Sequence, residues 1–292
     1  MPVVLAALND GKKHRQRELR EVVATELGVS AEERAELLPS GSQSIYTIWI
    51  ESAERYLRVT GLLTLHGGSA KITDRGQDVL SARGQLMAEP VFRHQQNRDR
   101  YAPHVRPINE LVDELRGEGC CFVPYLAPMQ GGTEARLLTL LRDPGPKTQD
   151  GTGSGFLCVE NDDPSAEREA FTFAVVGISP SEFTPWNAFP WYINKNPTSA
   201  QLKLGVEPLV RLVSMMPRLR VVMLQGGAAQ AAWKHLIKLH PRFANHPELL
   251  VIETLHPSLQ ALRHKDPAVR HQREQRRWDD ALKAADRLRE CQ

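Results

Sequence analysis

Three short segments hold the side chains best suited to chemistry: Leu140-Leu141-Arg142-Asp143-Pro144-Gly145-Pro146, Thr184-Pro185-Trp186-Asn187-Ala188-Phe189-Pro190-Trp191-Tyr192 and Leu255-His256-Pro257-Ser258. Each sets a polar side chain beside residues that turn the backbone at the end of an apolar run. An acid, an amide and a histidine at three strand ends suit one task, holding a planar base while water attacks its bond to the sugar. A carboxylate at Asp143 can orient the water and stabilise positive charge on the sugar. The amide of Asn187 can donate and accept at once, and so read the edge of a pyrimidine. A histidine at His256 can donate to a base carbonyl whose oxygen becomes anionic. Phe156, after the loop Gly151-Thr152-Gly153-Ser154-Gly155, is placed to stack on the base, an interaction of about 1–3 kcal/mol. A bond hidden in a duplex is reached only when the nucleotide is flipped out. Leu259 is the candidate wedge for that gap, with Leu262 second.

Taken singly, each of these residues also has a plain structural reading. Asp143-Pro144-Gly145 reads as a strand-to-loop turn, His256-Pro257 as a cap, and Asn187 as a partner for backbone groups at a bent strand. Trp186, Phe189, Trp191 and Tyr192 read as local packing before they read as a base cage, and Phe156 as core. Asn161-Asp162-Asp163 can position a base or start a helix; Asp before Pro-Ser-Ala favours the start.

The elements that would position these groups follow from periodicity. Helices are expected at Ile108 to Leu115, Phe171 to Gly177, Val206 to Met216 and Ala228 to Leu239. Strands are expected at Ala135 to Leu141, Phe183 to Phe189, Arg220 to Gln225 and Leu249 to Thr254. Strands alternating with helices imply α/β: a mostly parallel four-stranded sheet flanked by helices. Ligands in such folds bind beyond the carboxyl ends of the strands, where Asp143, Asn187, Gly226 and His256 all fall.

Before this unit, residues 1–80 read as a small separate module, with 81–100 a linker helix and 101–292 the α/β domain. Arg17 to Leu27 has helical spacing ended by Gly28, and Ser30 with Glu33 forms a capping box for a helix through Leu38. A third helix runs from Ser44 to Thr60. Leu62 to Leu65 and Ala70 to Thr73 make a hairpin, and a last helix starts at Asp74. Three helices and a hairpin are the winged-helix plan. Its third helix would read DNA through Ser42, Gln43, Ser44 and Thr47, with Lys71 on the wing touching phosphate. The alternative is a module that dimerises or packs on its neighbour. Arg93, His94, Arg98 and Arg100 in the linker form either a solvated face or a phosphate-contacting hinge. A charged helix follows Asp266, with Arg270, Arg273, Arg276 and Arg277 on a solvated face.

Composition sets the outer bounds. The 292 residues carry a formal net charge of +2, so no global basic field announces nucleic acid, and any such surface must be local. No apolar run approaches the roughly 18 residues of a membrane span, and no secretory pattern opens the chain. The expectation is a cytoplasmic protein. Cys120, Cys121, Cys158 and Cys291 lack zinc spacing, so no metal and no cofactor are expected.

The wording of two stretches resembles known families. Residues 8–80, "LNDGKKHRQRELREVVATELGVSAEERAELLPSGSQSIYTIWIESAERYLRVTGLLTLHGGSAKITDRGQDVL", resemble the N-terminal winged-helix domain of Mrr-type restriction proteins. That resemblance implies a DNA-associated module without chemistry of its own. Residues 101 to about 265 resemble the uracil-DNA glycosylase superfamily: "LLTLLRDPGP" its water-activating loop, "GFLCVENDDPSA" its base-stacking segment, "WNAFPWY" the strand with the base-reading asparagine, "HPS" the histidine motif before the wedge. By position the resemblance makes Asp143 the water-orienting acid, Phe156 the stacker, Asn187 the base reader and His256 the oxyanion donor. It also implies a departure. Gly145 stands where the first family carries a tyrosine that excludes the thymine methyl, so uracil, a deaminated purine or an enlarged modified base could each be taken. Two function classes follow: a DNA glycosylase in repair or phage defence, leaving an abasic site, or a non-catalytic base-sensing DNA-binding protein. DNA is the expected partner in both, with a homodimer through the winged helix as a further option.

Overall fold

The computed structural model describes residues 2–37, 44–59, 61–81, 86–118, 122–243 and 247–290. The chain divides into two compact units. One comprises Met1–Arg83 with Ala174–Gly177 and Arg263–Gln275, and the other Gly84–Phe173 with Ile178–Leu262 and Arg276–Gln292.

The first unit runs α1 (Pro2–Ala6), β1 (His14–Arg15), α2 (Gln16–Glu26), α3 (Ala31–Ala35), α4 (Ile45–Val59), β2 (Leu63–His66), β3 (Ser69–Ile72) and α5 (Asp74–Ser81). The three helices and the hairpin appear where periodicity puts them. The capping box forms: Ser30 Oγ accepts from the Glu33 N–H at 3.1 Å while Glu33 Oε2 accepts from the Ser30 N–H at 2.8 Å. α3 stops at Ala35, and its expected end at Leu38 lies outside the described residues. Two features escape the pattern, the apolar opening that folds as α1 and the two-residue β1 that completes an antiparallel sheet ordered β1-β3-β2. Leu19, Val23, Ile50, Leu57, Leu63 and Ala70 are among its buried residues.

The chain continues, mostly within the second unit, with α6 (Pro90–Arg98), α7 (Arg106–Glu118), β4 (Tyr125–Leu126), β5 (Leu137–Leu141), β6 (Phe156–Leu157), α8 (Pro164–Val176), β7 (Phe183–Asn187), α9 (Ser199–Leu204), α10 (Val206–Ser214), β8 (Val221–Gln225), α11 (Gly227–Leu239), β9 (Leu250–Thr254), α12 (Leu259–Leu262) and α13 (Pro267–Glu290); the end of α8 and the start of α13 belong to the first. β7, β5, β8 and β9 form, in that order, a four-stranded parallel sheet. β4 and β6 form a small parallel pair of their own, which periodicity does not predict, nor does it predict α9.

Successive strand residues face opposite sides of a sheet, and the burial divides accordingly. Leu138, Leu140, Trp186, Val222 and Leu224 join one core with Ile108 and Leu111 of α7, Leu209 of α10 and Trp233 of α11. On the other side Phe183 meets Phe173 of α8 edge-on, ring centroids 4.9 Å apart, and Phe171 meets Trp278 of α13 at 6.2 Å. The strands are nearly continuous apolar runs because helices cover both faces.

The two outer strands differ from the inner pair. β7 carries Pro185, which offers no N–H. Along β9, Arg276 of α13 donates to the carbonyl of Glu253 at 3.0 Å, and Arg287 to that of Glu248 at 3.0 Å. No helix of the described residues is long and apolar enough to cross a membrane.

Candidate functional site

Register brings the singled-out side chains to one end of the sheet. Leu141 pairs with Asn187, Leu140 with Leu224, and Gln225 with Thr254. Asp143 lies two residues past β5, and His256 two residues past β9. Adjacent strands are about 4.8 Å apart, so β5 and β9, separated only by β8, stand roughly 10 Å apart.

Asp143 follows directly from the exhaustion of the apolar run 137–141. Its side chain is 1% exposed, and Oδ1 is engaged by Nε of Arg142. Its other oxygen, Oδ2, finds no donor among the described residues. The Arg142 guanidinium also donates to Asn196 Oδ1 at 3.1 Å. Next door, Asn187 closes β7 and is 2% exposed, and its Oδ1 is likewise buried without a donor. The chain past β7 stays bound to the β5 loop, with the Ala188 N–H on the Leu141 carbonyl at 2.8 Å and the Phe189 N–H on that of Arg142 at 3.1 Å. Those bonds hold the two orphaned acceptors on neighbouring strand ends.

His256 is fixed from three directions. Its Nδ1 accepts from the backbone N–H of Ser258 at 3.1 Å. An amide N–H only donates, so the single proton of the neutral ring sits on Nε2. Burial pushes the imidazole down to about 4, and the positive charges of Arg142 and then Arg277 push the same way. Gly226 lies behind it with φ of 93°. A Cβ on that glycine would stand 3.3 Å from His256 Cβ. On the following loop, Arg168 of α8 donates to the Pro257 carbonyl at 2.5 Å.

Beneath this end of the sheet lies a buried polar cluster on the α8–α13 side. Glu169 accepts from Gln225 Nε2 at 2.6 Å, and Arg277 donates to Thr172 at 3.3 Å. Burial drives the Glu169 carboxyl up to about 7, against the opposing pull of Gln225 and Arg277. Gln225 and Thr254 share with Glu169 and Arg277 the lining of a cavity of about 20 Å³, room for about one water. Arg277 is therefore buried at 7% exposure rather than on the solvated face expected of the closing helix.

The remaining expected residues separate clearly. Phe156 is 2% exposed, tilted against Tyr125 at 6.3 Å, and so belongs to the core of this unit. Its carbonyl accepts from Asn161 Nδ2 at 2.9 Å, so Asn161 braces the loop while Asp163 Oδ1 caps α8 through Ser165 and Ala166. Gly145 lies in the open: a Cβ there would meet nothing within 4 Å. Leu259 is 53% exposed and Leu262 8%, so only the first can project as a wedge. Phe189 and Trp191 pack on each other at 5.1 Å, and Trp186 is buried in the core. In the first unit Ser44 caps α4, its Oγ accepting from Thr47 N–H at 3.1 Å and donating to Thr47 Oγ1 at 2.8 Å. Both hydroxyls are thereby engaged locally, while Lys71 is exposed on β3 and Ser42 and Gln43 lie outside the described residues. Cys158 is buried, its thiol pushed up to about 12 by desolvation, and Cys120, Cys121 and Cys291 lie outside the described residues.

Sequence reasoning assigned no role to Arg142, Glu169 or Gln225. A polar residue closing the apolar run VVMLQ was the available signal for Gln225. Arg142 stood in view beside Asp143, but nothing in its spacing pairs it with His256.

An α/β unit with a helix-flanked parallel sheet and polar groups gathered at its carboxyl end is thus the class the second unit defines. In the first unit, residues 1–82 match the Mrr N-terminal domain. No curated protein matches the chain.

Proposed function

We propose that the chain is a DNA glycosylase which excises a uracil-like or modified base and leaves an abasic site. One observation carries the reading: two buried acceptors without donors among the described residues, Asp143 Oδ2 and Asn187 Oδ1, lie at the ends of neighbouring strands, two and three strands from a neutral imidazole whose proton is on Nε2. An unpaired buried acceptor costs about 1–3 kcal/mol, so two of them at one strand edge destabilise the fold unless a ligand supplies donors. A base edge offers an N–H to Asn187, and an attacking water offers an O–H to Asp143. His256 then donates from Nε2 to the base oxygen as the C1′–N bond breaks and its electron pair passes to the base. The water oxygen bonds to C1′, and its proton leaves through the Asp143 carboxylate. A neutral donor suits this step, because a permanently charged one would also bind the ground state. Leu259 is the wedge that holds the gap left by the flipped nucleotide.

The first unit supplies DNA association in this reading. The likeness of residues 1–82 to the Mrr N-terminal domain supports a winged-helix module. Its contacts fall to the exposed face of α4 and to Lys71 rather than to Ser44 and Thr47, whose hydroxyls cap the helix. Association with a restriction-type domain makes defence against phage DNA with altered bases the variant of this function to test alongside repair.

A second reading, a base sensor that does not cut, is favoured by the ion pair of Arg142 with Asp143, which already occupies one carboxylate oxygen. Single- and double-stranded oligonucleotides carrying uracil, hypoxanthine, xanthine or modified cytosines, treated with alkali after incubation, separate the two. Scission by the wild type that is lost in Asp143→Ala and His256→Ala supports the glycosylase. Binding without scission across that panel supports the sensor.

A further inference from the structure

A second concavity takes no part in that chemistry. α6 and the turn after it put Arg93, His94, Asn97 and Arg100 along one wall of a pocket of about 460 Å³, opposite the loop 151–155 and beside Tyr125. Arg93 and Asn97 are one turn apart on α6 and share a face, and Arg100 follows in the turn after it. Arg98 does not join them: it pairs with Asp99 at 3.1 Å and is 65% exposed. Among the described residues Arg93, His94 and Arg100 have no carboxylate within ion-pair distance. Arg100 lies over the Tyr125 ring at 4.5 Å, and its buried Nε lacks an acceptor. The acid in the lining, Asp150, is already paired with Arg116 at 3.6 Å. Positive charge is therefore in excess in the pocket lining.

The facing loop sets Thr152 and Ser154 between three glycines that its backbone shape requires. Gly151 and Gly155 hold φ of 78° and 81°, and a Cβ on Gly153 would strike the Lys147 carbonyl at 2.2 Å. The loop needs glycine for its own shape, since Cβ atoms on Gly153 and Gly155 would strike Lys147 and Asp150. Two guanidiniums without carboxylates in a roomy polar pocket match the oxygens of a phosphate ester, and the volume leaves space for the attached sugar.

We infer that this pocket binds the phosphate of a nucleotide, either free or within a strand. The anion site stands on the pocket's own geometry; its assignment to a nucleotide rests on the base-excision reading.

The test uses the full chain and fluorescence anisotropy of a labelled oligothymidylate 12-mer, with dTMP and thymidine as competitors. Arg93→Ala combined with His94→Ala removes two side chains from the pocket wall, and Arg93→Lys retains the charge. The expected result is at least tenfold weaker strand binding in the double variant, near-normal binding in Arg93→Lys, and an unchanged unfolding midpoint. The slope of log affinity against log salt should also become shallower, by about 0.7 for each phosphate no longer neutralised. Competition by dTMP but not thymidine, reduced in the same variant, identifies a site open to a free nucleotide. No competition by dTMP, with the strand effect intact, identifies a phosphate supplied by a strand. Unaltered strand and dTMP binding in the double variant, or equal competition by thymidine, overturns the inference. Anisotropy reads binding without turnover, so failure of base excision leaves this result readable.

Discussion

The backbone N–H of Ser258 donates to Nδ1 of His256 across 3.1 Å, and that bond decides which ring nitrogen keeps the proton. With the imidazole held down at about 4, chiefly by burial, His256 remains neutral over the whole range in which a free histidine titrates. Nitrogen NMR of histidine-labelled protein, assigned with His256→Gln, should show the Nε2–H tautomer and no titration between pH 8 and 5. A midpoint near 6.5 would refute this account of the site.

Arg142 is the second cause of that depression, after burial. Arg142→Ala should raise the His256 midpoint while leaving it below the usual histidine value, since desolvation persists. The same substitution frees Asp143 Oδ1, so, if base excision holds, base release measured across pH should change in profile as well as in rate. An unmoved His256 midpoint would mean that the guanidinium does not act on the ring.

Glu169 and His256 make stability depend on pH in opposite directions. Glu169 is raised to about 7 in the folded protein against 4.5 for the free group, so its contribution is full below 4.5 and is lost as pH rises through 7. His256 is depressed, so its contribution is present above 6.5 and is lost as pH falls toward 4. Glu169→Gln keeps an acceptor for Gln225 and removes the carboxyl. Relative to wild type, its unfolding midpoint should climb steadily between pH 4.5 and 7, for a total of order 3 kcal/mol. A constant difference between the two proteins would count against a buried, titrating Glu169.

Gly226→Ala tests the packing behind the histidine. A φ of 93° excludes ordinary side chains, and the new methyl would press on His256 at 3.3 Å. Strain of this kind costs about 1–3 kcal/mol. The expected outcome is a modest fall in melting temperature and, if base excision holds, a larger loss of base release. Equal losses in both would point to general destabilisation.

Gly145→Tyr should be tolerated, because the site of its Cβ is empty to 4 Å and the backbone φ is an ordinary −77°. Chemical denaturation should shift by no more than about 0.5 kcal/mol, as for other exposed substitutions. If base excision holds, the added ring narrows the range of bases released. A variant that unfolds, or one that accepts larger bases, contradicts the open position of Gly145.

Much of this arrangement was legible in residues. All four strands of the parallel sheet lie where apolar runs end in turn residues, because a strand covered on both faces has no reason to include polar side chains. Asp143, Asn187 and His256 could be placed at one edge for the same reason, since parallel strands all end together. What stayed hidden depends on partners distant in sequence. Glu169 sits on a helix whose periodicity marks it as one more polar position; only Gln225, 56 residues on, explains why it is buried. β4 and β6 have two residues each, too few for any alternation to register. Phe156 was assigned to stack on a base, and the structure puts its ring against Tyr125. An aromatic after a glycine loop looks the same in sequence whether it faces a ligand or a neighbour.

The borders of the parallel sheet have a consequence for how the chain behaves in company. An outer strand with free carbonyls and N–H groups is a template on which another chain can add, the usual first step of aggregation. Pro185 removes a donor from one border, and Arg276 and Arg287 occupy carbonyls along the other. The closing helix thus lies over this border and occupies the Glu253 carbonyl of β9, a group on which another strand could otherwise add.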